Sequence, residues 1–270
     1  MTAPAASPSL FDTHAHLHFP EFAEDRDDAL ARARAAGVTR LLAVGADLPS
    51  SRAAVTFAAA QPGVYAAVGI HPHDAESADR GALAELEDLA RDPRVVAIGE
   101  IGLDYYRDLA PRPAQARAFA AQLDLARALD RPVVLHCREA HADLLAVLED
   151  GGLGPAGGIL HCFSGDQAAA ERGLALGLAI SIAGPITYPN ARRLADVVRA
   201  LPLEALVLET DCPYLPPQPW RGRRNEPAYL PVTAARVAEL QGLDMARVAA
   251  ATTRTACRVL RVPAPEAGEA

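Results

Sequence analysis

Short runs of apolar, β-branched residues alternate along this chain with longer stretches whose apolar positions recur every three or four residues. The short runs number eight: "LFDTHA" at 10–15, "VTRLLAVGA" at 38–46, "VYAAVGI" at 64–70, "VVAIGE" at 95–100, "PVVLHC" at 132–137, "GILHCF" at 158–163, "LAISIAG" at 178–184 and "ALVLETD" at 205–211. Their length and residue types predict strands. Segments between them, among them "DRDDALARARAAG", "ALAELEDLARD", "AQARAFAAQLDLARALD", "EAHADLLAVLED" and "NARRLADVVRAL", carry the helical period and predict amphipathic helices. Gly37 is placed to end the first of these helices, and Asn190 to cap the start of the last. Strands that read as nearly continuous apolar runs belong to parallel sheets covered on both faces. Eight such units predict an α/β fold, the TIM (β/α)8 barrel. A doubly wound open sheet would show a glycine fingerprint after its first strand, and "THAHLHFPEF" contains no glycine. The barrel is expected to occupy residues 10–260 as one domain, with flexible tails at 1–9 and 261–270.

Composition narrows the function classes. A chain of 270 residues fits one such barrel, and 50% hydrophobic with 22% charged residues excludes a disordered polymer. The net charge of −8 excludes broad coating of a nucleic-acid backbone, yet leaves room for a local basic patch. Cys137, Cys162, Cys212 and Cys257 are far apart and form no CxxC pair, which argues against a disulfide framework. "MTAPAASPS" lacks the features of a secretory leader, and no apolar run reaches the eighteen or so residues that span a membrane. A reducing, cytoplasmic setting without membrane association or an obligate protein partner is expected.

Reactive groups in (β/α)8 barrels sit at the C-terminal ends of the strands. The first run ends in His14 and His16, the fourth in Glu100, the fifth in His136, the sixth in His161 and the eighth in Asp211. Alternate residues of a strand share a face, so His14 and His16 point into one mouth while Thr13 and Ala15 point away. His18 has the same parity, but Pro20 turns the chain and His18 is left out of the ligand set. One histidine at a strand end reads as a hydrogen-bonded structural residue; the whole set does not. Buried carboxylates need a cation or strong donors, which Glu100 and Asp211 would find in a metal. Four imidazoles and two carboxylates suit Zn2+, Mn2+ or Mg2+ and exceed what one tetrahedral ion uses, so two divalent ions are expected. Cys137, Cys162 and Cys212 each follow a proposed ligand directly, and alternation turns them toward the helix layer as small core residues.

The blocks "DTHAHL", "GIHPH", "GEIGLDYY", "HCREA", "HCFSG", "ETDCPYLPP" and "RGRRNEP", in this order, resemble the TatD-like metal-dependent hydrolases of the amidohydrolase superfamily. The resemblance runs from about residue 10 to 258. It implies a two-metal (β/α)8 barrel with divalent-metal-dependent nuclease activity on DNA, or hydrolysis of D-aminoacyl-tRNA in some members. By position it implies that His14, His16 and Asp211 hold one ion with Glu100, that His136 and His161 hold the second, and that Glu100 bridges. The closing "TTRTACRVL" departs from the family's usual ending, with Thr255 and Cys257 standing where Asn and Phe are common.

The reaction expected is 3′–5′ exonucleolytic cleavage of phosphodiester bonds by a water that the two ions activate, on DNA that is single-stranded or presents 3′ ends, with tRNA the second candidate substrate. Glu100 and Asp211 are the catalytic carboxylates, and Asp211 is expected both to ligate and to accept the proton of the water. Arg138, two residues beyond His136, is the expected phosphate partner, and His71 in "GIHPHD" is placed to reach a nonbridging oxygen. Trp220 stands beside Arg221, Arg223 and Arg224 in a proline-stiffened segment able to stack a base and hold a backbone, with Arg224 a substrate contact. An amidohydrolase acting on small amides or esters would carry a lysine at a strand end as a carboxylated bridge, a place Glu100 takes. A purely structural metal site would be closed and use fewer ligands.

Overall fold

A computed structural model describes residues 9–264. Eight parallel strands close into a barrel in chain order, and helices run back outside them. The order is β1 (Leu10–Ala15), α1 (Arg26–Ala35), β2 (Val38–Val44), α2 (Leu48–Ala60), β3 (Val64–Val68), α3 (Arg80–Leu89), β4 (Val95–Asp104), α4 (Arg112–Ala128), β5 (Val133–Arg138), α5 (His141–Val147), β6 (Gly158–Leu160), α6 (Gln167–Ala175), β7 (Leu178–Ile182), α7 (Arg192–Ala200), β8 (Leu206–Leu208), α8 (Leu230–Gln241) and α9 (Met245–Val259). This is the TIM barrel that the eight apolar runs predict. Strands β6 and β8 are shorter than their runs, and β4 continues past Glu100 to Asp104.

Local signals explain most helix boundaries. Asp47 and Ser50 cap α2 reciprocally, and Asp79, Asp166 and Asp244 accept backbone N–H groups at the starts of α3, α6 and α9. Gly37, at φ +86°, closes the end of α1 in the left-handed conformation expected of it. Asn190 is not the cap of α7: that position falls to Ala191, with no side-chain hydrogen bond.

Two apolar layers follow from strand alternation. Outward-facing residues such as Leu41, Ala66, Leu135 and Ile180 pack with Leu30, Phe57, Leu86 and Phe119 of the helices. Inward-facing Phe11, Leu42, Val44, Ala67, Ala97, Val134, Ile159, Ala179 and Val207 fill the barrel, and Cys257, Val259, Leu260 and Val262 at and beyond the end of α9 join that same cluster. The C-terminal tail expected from residue 261 is therefore packed at its start, with Arg261 also paired to Asp130. Ser9 is tied in as well, its carbonyl accepting from Thr253. Pro263 and Ala264 are exposed, and the rest of both expected tails, 1–8 and 265–270, lies outside the described residues. No helix among the described residues is long and apolar enough to cross a membrane.

Candidate metal centre

The C-terminal ends of the strands converge on the carboxylate of Glu100. Its Oε2 lies 3.3 Å from His14 Nε2, while its Oε1 lies 2.7 Å from His136 Nδ1, 3.4 Å from His161 Nε2 and 3.6 Å from His71 Nε2. On the Oε2 side, His14 Nε2 is 3.2 Å from His16 Nε2, and Asp211 Oδ1 is 3.9 and 3.6 Å from those two nitrogens. Four overlapping groups therefore have donor atoms close enough to share an ion: His14, His16 and Asp211; His14, Glu100 and His161; His71, Glu100 and His136; and, behind His161, His161 with Cys162 and Glu209. All six residues expected as ligands meet here. The grouping differs from the expected one in that His136 falls with His71, and His161 with His14. His71, expected to touch substrate, lies among the donors. His18 is buried but joins none of these groups.

Two strand irregularities aim these side chains. The β1–β2 register shifts between Asp12 and Ala15, and the β4–β5 register shifts between Ile98 and Ile101. Bulges of this kind recur beside active sites because they re-aim a side chain. In β1 Thr13 keeps the inward parity of Phe11 and the shift brings His14 inward beside it, correcting the expectation that Thr13 points away: its hydroxyl donates to the Leu208 carbonyl and lies 3.5 Å from Ser181 Oγ. Ala15 does face outward. In β4 the shift follows Ala97 on the inner face with Glu100 at the mouth. Gly102, at φ +147°, passes so close to β5 that a Cβ there would run into the His136 carbonyl oxygen.

A second layer fixes the rings. His16 Nδ1 donates to the Val44 carbonyl at 2.7 Å, which leaves Nε2 bare toward the cluster. His136 Nε2 is 3.0 Å from Asp104 Oδ2, which also meets His73 Nε2 at 3.0 Å, while Asp104 Oδ1 accepts the backbone N–H groups of Tyr106 and Arg107. His161 Nδ1 is 2.9 Å from Glu209 Oε1, and Glu209 in turn accepts from the Cys162 N–H and the Ser181 hydroxyl. Asp104 is not among the residues that the sequence singles out. The continuing apolar run "IGLD" and the even spacing from Glu100 were the available signal.

Burial and mutual charge shape the ionisation of the cluster. Burial by itself would raise the Glu100 carboxyl, but His161, His71, His14 and the His136 hydrogen bond outweigh it and hold it well below the usual range. Asp211 is held low in the same way, by His16, His161 and His14 against its burial. Burial lowers His71 to about 3 and also lowers His14. His161 is pushed up to about 10, because Glu209 and Glu100 overcome its burial. The donor set is thus rich in carboxylates that stay ionised and imidazoles whose second nitrogen is occupied or dry, which fits divalent cations.

The remaining candidates divide. Arg138 is exposed, stacks 4.3 Å above the Tyr106 ring and lines a cavity of about 770 Å3 that opens beside His136, His161 and Asp211. Arg224 does not line it: its guanidinium forms a two-pronged pair with Asp25 at 2.7 Å, donates to the Glu21 carbonyl and covers Phe22, so the geometry gives it a structural task in place of the expected substrate contact. Trp220 stacks on Tyr229 with centroids 4.0 Å apart. Cys137 and Cys212 pack in the outer core as expected, although Cys137 also reaches the cavity wall, whereas Cys162 is half-buried in that wall and outside the core; at φ +43° the backbone has left the strand and alternation no longer applies.

Residues 11–261 match the family described as TatD related DNase. The chain is 38% identical to an uncharacterized metal-dependent hydrolase, YabD, of Bacillus subtilis, over 94% of this chain and 99% of that one. It is 43% identical to the 3′-5′ ssDNA/RNA exonuclease TatD of Klebsiella pneumoniae, over 86% and 90%. Among solved structures, the TatD homolog YJJV of Escherichia coli superposes with a TM-score of 0.90 at 35% identity, covering 94% of this chain and 98% of that one. Match, barrel and donor cluster agree, and the chain belongs to the TatD-related DNase family of metal-dependent hydrolases.

Proposed function

We propose that this chain is a 3′–5′ exonuclease acting on single-stranded DNA or RNA. The observation that carries the reading is the Glu100 carboxylate, whose two oxygens face two different sets of histidines at the open mouth of the barrel. One divalent ion would be held by His14, His16 and Asp211 and the second by His136 and His71, with Glu100 between them; His161, whose donor atom lies within reach of His14, faces the same Glu100 oxygen as His136 and His71 and would complete the second set. Zn2+ and Mn2+ suit these donors in kind, and Mg2+ less well because imidazole nitrogens dominate the set. Such ions would lower the pKa of bound water, for Zn2+ from 15.7 to about 7 and so by up to about 12 kcal/mol, and would neutralise charge on the phosphorus oxygens.

The chain's own groups supply the rest. Asp211, ionised and at the edge of the cavity, accepts the proton of the attacking water. Arg138, with a guanidinium that no described carboxylate approaches within 4.0 Å, holds the scissile phosphate. Asp104 and Glu209 keep His136 and His161 in one orientation.

The test sets a 3′-labelled single-stranded oligonucleotide beside a D-aminoacyl-tRNA, with protein loaded with each metal and with Glu100→Gln and His136→Ala controls. Metal-dependent release of labelled mononucleotide, absent from the controls, is expected. Cleavage of the ester alone would move the function to tRNA proofreading and overturn the proposal.

A further inference from the structure

The cavity beside the donors extends to one side only, under the loops that follow β5, β6, β7 and β8. Its volume of about 770 Å3 lies within the roughly 300–1,000 Å3 typical of sites for a single small ligand, so it suits one nucleotide better than a length of strand. Tyr188, Arg138 and Arg193 line it, and the other phenyl ring of its wall, Phe163, is buried whereas Tyr188 is half-buried. Tyr188 is held rigidly, its hydroxyl donating to the Pro216 carbonyl at 2.9 Å and the Arg221 guanidinium lying 4.8 Å over its ring. The neighbouring Thr187 hydroxyl accepts the Gln218 N–H, which pins this loop to the one after β8. Arg193 donates once, to the Ser164 carbonyl at 2.8 Å, and keeps its other donors.

Ten of the 26 described arginines, Arg32, Arg52, Arg172 and Arg224 among them, pair with carboxylates, and neither Arg138 nor Arg193 in the cavity wall has one within 4.0 Å among the described residues. Of the acidic groups in the cavity wall, Asp166 caps α6 and Glu139 is exposed. A half-buried ring and two guanidinium groups without carboxylate partners in one cavity wall suit a nucleotide with a phosphate on each side, because aromatic faces stack any base and guanidinium matches phosphate oxygens.

Resting on the exonuclease reading above, we infer that this cavity seats the penultimate nucleotide of the strand, with its base against Tyr188 and its 5′-phosphate on Arg193, while Arg138 takes the scissile phosphate on its 3′ side. The enzyme therefore reads one phosphate beyond the bond it cuts.

Two thymidine dinucleotides, with and without a 5′-phosphate, test this. The wild-type protein should cleave the phosphorylated one with about tenfold higher kcat/KM, and in Arg193→Ala that ratio should fall to about one. Equilibrium binding of the same pair to chelator-treated protein should show the same ratio without turnover. A longer oligonucleotide that is abasic at the penultimate position should be cut about tenfold more slowly by the wild type and by Tyr188→Phe, which keeps the ring but loses the Pro216 bond, and Tyr188→Ala should not notice the missing base. An undiminished ratio in Arg193→Ala, additive losses for Tyr188→Ala and the abasic site, or sensitivity at the terminal base instead would each overturn the inference. Wild-type protein that cuts no phosphodiester at all would instead overturn the exonuclease reading beneath it.

Discussion

The two ends of the barrel are made from the same strands and could hardly differ more. On the inner face of β5, Val134 at the closed end is followed by His136 at the mouth; β6 passes from Ile159 to His161, and β8 from Val207 to Glu209 and Asp211. The closed end is sealed by apolar side chains from the end of α9, and the mouth concentrates imidazoles and carboxylates around Glu100. A single step of two residues along a strand separates cohesion from chemistry. Each end can thus be altered with little effect on the other.

The sharpest way to break this comparison is a pair of substitutions. Glu100→Gln should lower turnover by about 10³-fold or more, equivalent to about 4 kcal/mol of transition-state stabilisation, with folding retained. Leu42→Ala, at a fully buried position inside the barrel, should cost about 2–5 kcal/mol of stability while the folded fraction keeps its kcat. Urea titrations and steady-state kinetics on both proteins check this, and a Leu42 variant with lost kcat per folded molecule would show that the ends are coupled.

A smaller effect is expected one layer behind the donors. Glu209→Gln should weaken metal binding about 10–100-fold, measured by competition with a chelator, because the carboxylate behind His161 orients the ring and makes it a better donor. Unchanged affinity would mean that packing alone orients His161.

The smallest effect belongs to the ion network outside the mouth. Hydrogen bonds from Arg224 and then Arg32 hold the Asp25 carboxyl far below its ordinary 3.8. With a native pKa lower than the unfolded one, the stabilisation is present above about pH 4 and is lost as pH falls toward the native value. The group is partly exposed, so Asp25→Asn should lose under about 1 kcal/mol at pH 7, and the difference from the wild type should shrink below pH 4 in urea titrations.

The barrel was legible in the sequence because its period is strong and each inward strand end is marked by a polar residue amid apolar ones. His136 and His161 could be read directly, since β5 and β6 keep regular alternation. Thr13 could not, because a bulge in β1 brings His14 inward beside it, and nothing local in "DTHA" announces it. Cys162 escaped for the same reason, standing just past a strand of only three residues. Arg224 looked free because its partner Asp25 lies 199 residues away, beyond any local pattern. Asp104 was hidden because the buried charge of Glu100 reads as the end of its strand although "IGLD" continues β4 for four residues, and Asn190 lost the cap to Ala191 because helix starts depend on backbone turns that short motifs do not specify.

Closure of the barrel joins positions made at very different times. Asp12 of β1 pairs with Leu208 of β8, 196 residues later, and the seal at the closed end needs Val262. At translation rates of about 5–20 residues per second, β1 emerges roughly 10–40 s before its second neighbour exists. Throughout that interval the nascent chain carries an open sheet edge and an unsealed apolar lumen, which makes its final fifty residues the step that ends its exposure to aggregation.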